Sequence, residues 1–205
     1  MAGIFISMEG PDGAGKTTQI ELLKAYLENK GYEILITREP GGTKISEAIR
    51  SIILDRSNVE MDYMTEALLY ASARAQLVAE VIKPAIAAGK AVISDRFVDS
   101  SAVYQGMARG LGVENVYKIN GFAIQNMMPK LTIHLDLPAS VGIMRKKNQA
   151  ELDRMELEKA EFHERVAEGY RQLAKMFPER IYTIDATLPV EEIHKLILSK
   201  LEEIL

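Results

Sequence analysis

The chain has 205 residues, a formal net charge of −4, and 47% hydrophobic against 26% charged residues, which describes one ordinary globular domain with a substantial core. It contains no cysteine, so disulfides, thiolate metal sites and a cysteine nucleophile are excluded, and a reducing cytoplasm fits. The acidic balance leaves no global basic footprint for nucleic acid, no run of about 18 apolar residues marks a membrane span, and no secretory leader pattern is expected at the start.

Ile4–Glu9 is a short apolar run of strand type. It leads into Gly10-Pro11-Asp12-Gly13-Ala14-Gly15-Lys16-Thr17, followed by Thr18, which fits the phosphate-binding loop G-x-x-x-x-G-K-[ST]. Helical apolar spacing follows from Gln19 to Leu27. In that context the glycines let backbone N–H groups converge on one concavity, and the helix start adds partial positive charge. Lys16 can reach outer phosphates and the Thr17 hydroxyl can hold Mg²⁺. The expectation is a nucleoside triphosphate site.

Further strand-like runs are Glu33–Arg38, Ala91–Asp95, Leu131–Asp136 and Tyr182–Asp185, with helical patterns between them. This alternation predicts a mainly parallel sheet covered by helices on both faces. Gly31 marks the end of the first helix. Thr65–Ala88 reads as one long helix, with Pro84 a candidate kink, closed by Gly89-Lys90. Tyr70 and Arg74 lie at i, i+4 on it, and Arg74 is the only charge from Ala67 to Ala79. The ring can stack on a base while the guanidinium donates to a base carbonyl; a core tyrosine beside an internally paired arginine is the alternative.

The strand Ala91–Asp95 ends in Asp95-Arg96. Ligands of open α/β sheets bind beyond the carboxyl ends of strands. Asp95 can there organise Mg²⁺, and Arg96 can hold an anionic acceptor; a structural ion pair is the other reading. Ser100, Ser101, Tyr104 and Gln105 then fall on one helical side. They suit a nucleobase and sugar, or an ordinary amphipathic surface. The run from Arg145 to Arg165 is dense in both charge signs. It is either a solvated helix face or a cationic lid over the transferring phosphoryl. Val190 onward carries a stripe of Ile193, Leu196, Ile197, Leu201 and Ile204, expected to pack on the sheet. His134, His163 and His194 have no ligand spacing, so a zinc site is not expected.

Over nearly its whole length the sequence resembles the thymidylate kinases, nucleoside monophosphate kinases that phosphorylate dTMP with ATP. The markers are Glu9 to Thr18, Thr37-Arg38-Glu39-Pro40-Gly41-Gly42-Thr43, Arg74-Ala75-Gln76-Leu77-Val78, Asp95 to Gly106, and Glu151-Leu152-Asp153-Arg154. The resemblance implies a single three-layer P-loop kinase domain over residues 1–205, with a lid at about 145–157. Its five-stranded parallel sheet would have order 2-3-1-4-5. Gly10 to Thr18 would wrap the ATP phosphates, with Arg145 against adenine and Ala186 in the loop beside it. Asp12 would meet the deoxyribose 3′-hydroxyl or the metal region. Glu39 and Pro40 would line the acceptor pocket, and Arg50 and Arg96 would clamp the dTMP phosphate. Tyr70 would stack on thymine, where relatives usually have phenylalanine. Arg74 would bond the thymine O4, Ser101 and Gln105 would hold the base edge, and Tyr104 would oppose a ribose 2′-hydroxyl. Thr17 and Asp95 would serve Mg²⁺. Lys16, Arg96, Asp12 and a lid cation would carry catalysis. Gly13 stands where eukaryotic members place an arginine, so that lid cation is Lys147 or Arg154, since Gln149 has no charge. A homodimer is also implied. Partners would be ATP and dTMP, with neither nucleic acid nor membrane.

The acceptor phosphate is already anionic, so no general base is required; positioning and charge neutralisation suffice. Three rival readings stand beside this one, the first within the kinases and the other two outside them. Another monophosphate or deoxynucleoside kinase would share most motifs. A guanine-nucleotide switch would need Asn-Lys-x-Asp after a strand, which is absent, leaving a non-enzymatic ATP-binding module as the last option.

Overall fold

A computed structural model describes residues 2–147 and 152–205. Five strands, β1 (Ile4–Glu9), β2 (Ile34–Arg38), β3 (Ala91–Asp95), β4 (Leu131–Asp136) and β5 (Ile181–Asp185), form one sheet of order β2-β3-β1-β4-β5. Every pair is parallel, with Ile6 opposite Ile93 and Met8 opposite Ile133. β1, β3 and β4 are buried along nearly their whole length, which explains why they read as continuous apolar runs. The order expected from the family resemblance is the observed one. Strand β2 starts one residue later than the sequence reading, and β5 one residue earlier.

Two sets of helices cover the faces. On one side α1 (Lys16–Asn29) and α9 (Val190–Glu202) bury Leu23, Leu27, Ile193, Ile197 and Leu201 against Ile6, Met8 and Ile133. Leu196 instead turns outward at 37% exposure, so the predicted stripe is narrower by one residue. On the other side Phe5, Leu77, Val92 and Phe97 form a second cluster, with Phe5 and Phe97 edge to face at 4.9 Å. Gly31 ends α1 with φ 89° and its N–H on the Glu28 carbonyl at 2.9 Å.

The long helix is broken into three parts. α3 (Tyr63–Leu77) passes through a π-helical stretch, Val78–Ile82, into α4 (Lys83–Ala87). Pro84 is the physical reason. It offers no N–H to the turn before it and its ring crowds that turn, so the backbone widens, and the Lys83 N–H bonds Val78. α2 (Lys44–Leu54) packs beside α3, capped by Thr43, whose hydroxyl accepts from the Ser46 N–H at 3.1 Å.

After β3 the chain forms a single turn, α5 (Val98–Ser101), and a second π-helical stretch, Ala102–Ala108. α6 (Val113–Ala123), α7 (Ala139–Lys147) and α8 (Ala160–Met176) complete the layers. Among the described residues no helix is long and apolar enough to cross a membrane.

Adjacent leucines on α1 separate burial from propensity. Leu23 is fully buried and Leu22 is 36% exposed. Leu23→Ala is expected to cost about 3 kcal/mol and Leu22→Ala under about 1 kcal/mol in urea unfolding. Equal losses would contradict this packing.

Candidate active site

The carboxyl ends of β1, β2 and β3 open into a cavity of about 750 Å³. Its floor at one end is the loop between β1 and α1. Gly10, Gly13 and Gly15 all have positive φ, of 140°, 78° and 87°. A Cβ on Gly13 would lie 2.9 Å from the Gly142 carbonyl, so any larger residue there would displace α7. The Lys16 ammonium folds over this loop, donating to the carbonyls of Gly10 and Pro11 at 3.1 Å each. Burial, aided by the charge of Arg96, brings its pKa down to about 8; Asp12, Asp95 and Glu9 oppose that. Arg145 reaches the loop from α7 and donates to the Gly13 carbonyl at 2.9 Å.

Arg96 stands at the centre. Its backbone takes φ 69°, sparsely populated by non-glycine residues, and so turns the side chain back across the end of β1. The guanidinium donates to the Gly10 carbonyl at 2.9 Å, the Tyr170 hydroxyl at 3.0 Å and Asp12 Oδ1 at 2.9 Å. It also lies over the Tyr104 ring at 5.3 Å. Beneath it Glu9 is fully buried, accepting from the Phe97 N–H at 2.7 Å, Ser100 Oγ at 2.6 Å and Tyr170 at 3.0 Å. Burial, with the charge of Asp99, pushes Glu9 up to about 7 against the pull of Ser100 and Arg96.

At the other end Arg74, 1% exposed, donates Nε to Glu39 Oε2 at 2.8 Å and Nη2 to Ser101 at 3.1 Å, and bonds Asn120 Oδ1. The internal pairing weighed as an alternative is therefore present, and Arg74 still lines the cavity. Glu39 is pushed up to about 7 by burial, opposed by Arg74, and its Oε1 is buried without a partner. Arg50 donates to the Pro40 carbonyl at 2.8 Å. Tyr70 on α3, Ser101 at the end of α5, and Tyr104 and Gln105 face the same cavity; Tyr104 and Gln105 lie in the π-helical stretch rather than the regular helix expected.

Thr17, exposed, and Asp95 both line the cavity, and Asp95 Oδ1 is buried without a protein partner. Such an oxygen suits a hard cation. Among the described residues no three His, Asp or Glu side chains gather as a metal site.

Among the described sequence candidates, Gly10, Pro11, Ala186 and Arg154 are not in the cavity lining, although Gly10 and Pro11 belong to the loop that Lys16 folds over. Ala186 is buried in the core after β5, its N–H on the Asp136 carbonyl at 2.8 Å. Arg154 is 8% exposed and tied to Glu66 at 2.6 Å and to the Ile53 carbonyl at 2.7 Å. Lys147 ends α7 with its side chain outside the described residues, as is Gln149 altogether. Conversely, Glu9, Asn120 and Tyr170 had no assigned role from sequence. Their partners lie 46 to 161 positions away, so no local spacing signals them. His134, stacked on Tyr170 at 5.1 Å and pushed down to about 4 mainly by burial, is structural.

The thymidylate kinase family model matches residues 8–197. The chain belongs to the thymidylate kinase family. It is 52% identical to a thymidylate kinase of Geobacillus thermodenitrificans over 98% of this chain and 92% of that one. Identity to the enzyme of that name from Caldanaerobacter subterraneus is 49%, covering 100% and 98%. A solved thymidylate kinase from Ehrlichia chaffeensis superposes with a TM-score of 0.79 at 30% identity, covering 98% and 99%.

The raised Glu9 pKa has a stability consequence within this family fold. Its cost is absent below the unfolded value of 4.5, grows as pH rises, and is complete above about 7. Glu9→Gln should flatten the fall in unfolding free energy between those limits. An unchanged pH slope would contradict the assignment of burial as its cause.

Proposed function

We propose that the chain transfers the γ-phosphoryl of ATP to dTMP, giving ADP and dTDP, in a single kinase domain over residues 1–205. The observation that carries this is one cavity with Lys16 and the glycine loop at one end and Arg74, Ser101, Gln105 and Tyr70 at the other. ATP phosphates sit on Gly10 to Thr18, and the dTMP phosphate is held by Arg96 and Arg50. Tyr70 stacks on thymine, and Glu39, Pro40 and Tyr104 close the pocket around base and sugar. Arg145 lies at the adenosine end.

Asp95 and Thr17 are the residues that hold Mg²⁺. When bound, the ion neutralises charge on the transferring phosphates. Lys16 serves as the second positive group. Burial lowers its pKa, and a triphosphate beside it favours the ammonium form. Asp12 keeps the Arg96 guanidinium oriented toward the gap between donor and acceptor. No side chain abstracts a proton, because the acceptor oxygen is already anionic. Arg154 or Lys147 supplies any further positive charge from the lid at about 145–157, and for Arg154 this requires leaving Glu66.

The substrates belong to the soluble cytoplasmic nucleotide pool, and we place the protein there. A homodimer is supported by the exposed apolar residues on the neighbouring helices α2, α3 and α6: Ile45, Ile52, Leu68 and Phe122.

The decisive assay measures ATP consumption with dTMP, dUMP, dCMP, dGMP and thymidine in parallel. The expected result is dTMP as the best acceptor, with Arg96→Ala lowering kcat at least about 10²-fold, the scale of one lost electrostatic stabiliser. Turnover of another acceptor ahead of dTMP, or a near-wild-type Arg96→Ala, would overturn the proposal.

A further inference from the structure

Behind the base end of the cavity lies a buried charge cluster built around Glu66, a residue to which the proposed chemistry gives no role of its own. Glu66, on the first turn of α3, is fully buried. Its Oε1 accepts from Gln105 Nε2 at 2.9 Å and from Arg109 Nε at 3.3 Å. Its Oε2 accepts from Arg109 Nη2 at 3.2 Å and from Arg154 Nη2 at 2.6 Å. Arg109 is itself sandwiched between the rings of Tyr63 and Phe162, at 4.7 and 4.5 Å, so the carboxylate is gripped by a fork that cannot swing away.

This arrangement dictates which way Gln105 points. A glutamine amide has one accepting and one donating end, nearly equal in shape. A carboxylate offers only acceptors, so the NH₂ must face Glu66. The carbonyl oxygen is what remains for the cavity that Gln105 lines. An oxygen there receives an N–H from a ring nitrogen, as N3–H of thymine or uracil supplies. It repels cytosine, whose N3 is itself an acceptor.

We propose that Glu66 is a specificity-determining positioning residue: it sets the polarity with which Gln105 reads the base, without touching substrate. This rests on the reading of the cavity as a thymine site. The same carboxylate holds Arg154, so the base reader and the backbone at residues 152–158 share one anchor. Replacing Glu66 by glutamine keeps the shape and changes the polarity. Two of the three arginine N–H contacts fall on Oε2, so the new oxygen turns toward Arg154 and Arg109 Nη2, and the new NH₂ faces Gln105 while the longer contact to Arg109 Nε is lost. Gln105 then presents its oxygen to residue 66 and its NH₂ to the cavity.

The test is kcat/KM for dTMP and for dCMP in the full-length wild type and E66Q. The expected result is a dTMP-to-dCMP preference reduced at least about tenfold, the scale of one misdirected hydrogen bond in a buried site. A merely structural role would lower both rates together. A folded E66Q with unaltered preference overturns the proposal, as does a parallel loss for both acceptors. If E66Q does not fold, the wild type still decides by nitrogen-15 NMR. The Gln105 side-chain NH₂ should resist solvent exchange equally with and without dTMP, and free exchange in either state overturns the proposal. Wild-type enzyme that turns over no dTMP defeats the thymine reading, and this inference with it; active wild type with an indifferent E66Q defeats this inference alone.

Discussion

The guanidinium of Arg96 ties the carboxyl edge of the sheet together. One side chain from the end of β3 joins the glycine loop after β1, Asp12 and Tyr170 of α8. A flexible cation at this place would lose rotamer freedom each time it met a phosphate. Arg96 has already lost it, held by these acceptors and by a left-handed backbone. Electrostatic stabilisation of a developing charge is strongest when the stabilising groups need not reorganise, and this network provides that condition.

The arrangement carries a cost in the protein itself. Glu9, Glu39 and Glu66 are all buried, as are Arg74 and Arg154. Desolvating such groups is expensive, and their mutual attraction repays it only with full hydrogen bonding. Most are well paired, but Glu39 Oε1 and Asp95 Oδ1 are buried without partners, and both belong to residues lining the cavity. These two sit where a ligand would complete them, as expected when stability is given up for function, whereas the unpartnered atoms of Gln19, Thr37, His134 and His194 lie outside the lining.

The sheet and the phosphate loop were legible in the sequence because their signals are local. Apolar runs of strand length alternate with helical spacing, and the loop needs its glycines, Lys16 and Thr17 within one short stretch. Ser100, Ser101, Tyr104 and Gln105 were legible as one set, and Tyr70 with Arg74 as another, because helical spacing brings i and i+4 neighbours together. What was not legible depends on distant pairing. Glu66 meets Arg154 across 88 positions and Arg74 meets Asn120 across 46. Nothing in the spacing of either member points to the other. The π-helical stretches were equally hidden, since their apolar pattern differs little from that of an α-helix. Arg154 shows the same limit: its place in a charged run suggested an exposed cation, whereas burial beside Glu66 decides its position.

Under the proposed function, fixed cations gather two polyanions over the ends of β1 and β3. The most direct measurement is a crystal structure with a bisubstrate analogue, adenosine and thymidine joined through a phosphate chain. The account predicts the chain running from the glycine loop and Lys16 to Arg96, with thymine against Tyr70 and Arg74. Thymine bound away from these residues, or phosphates clear of Arg96, would contradict it.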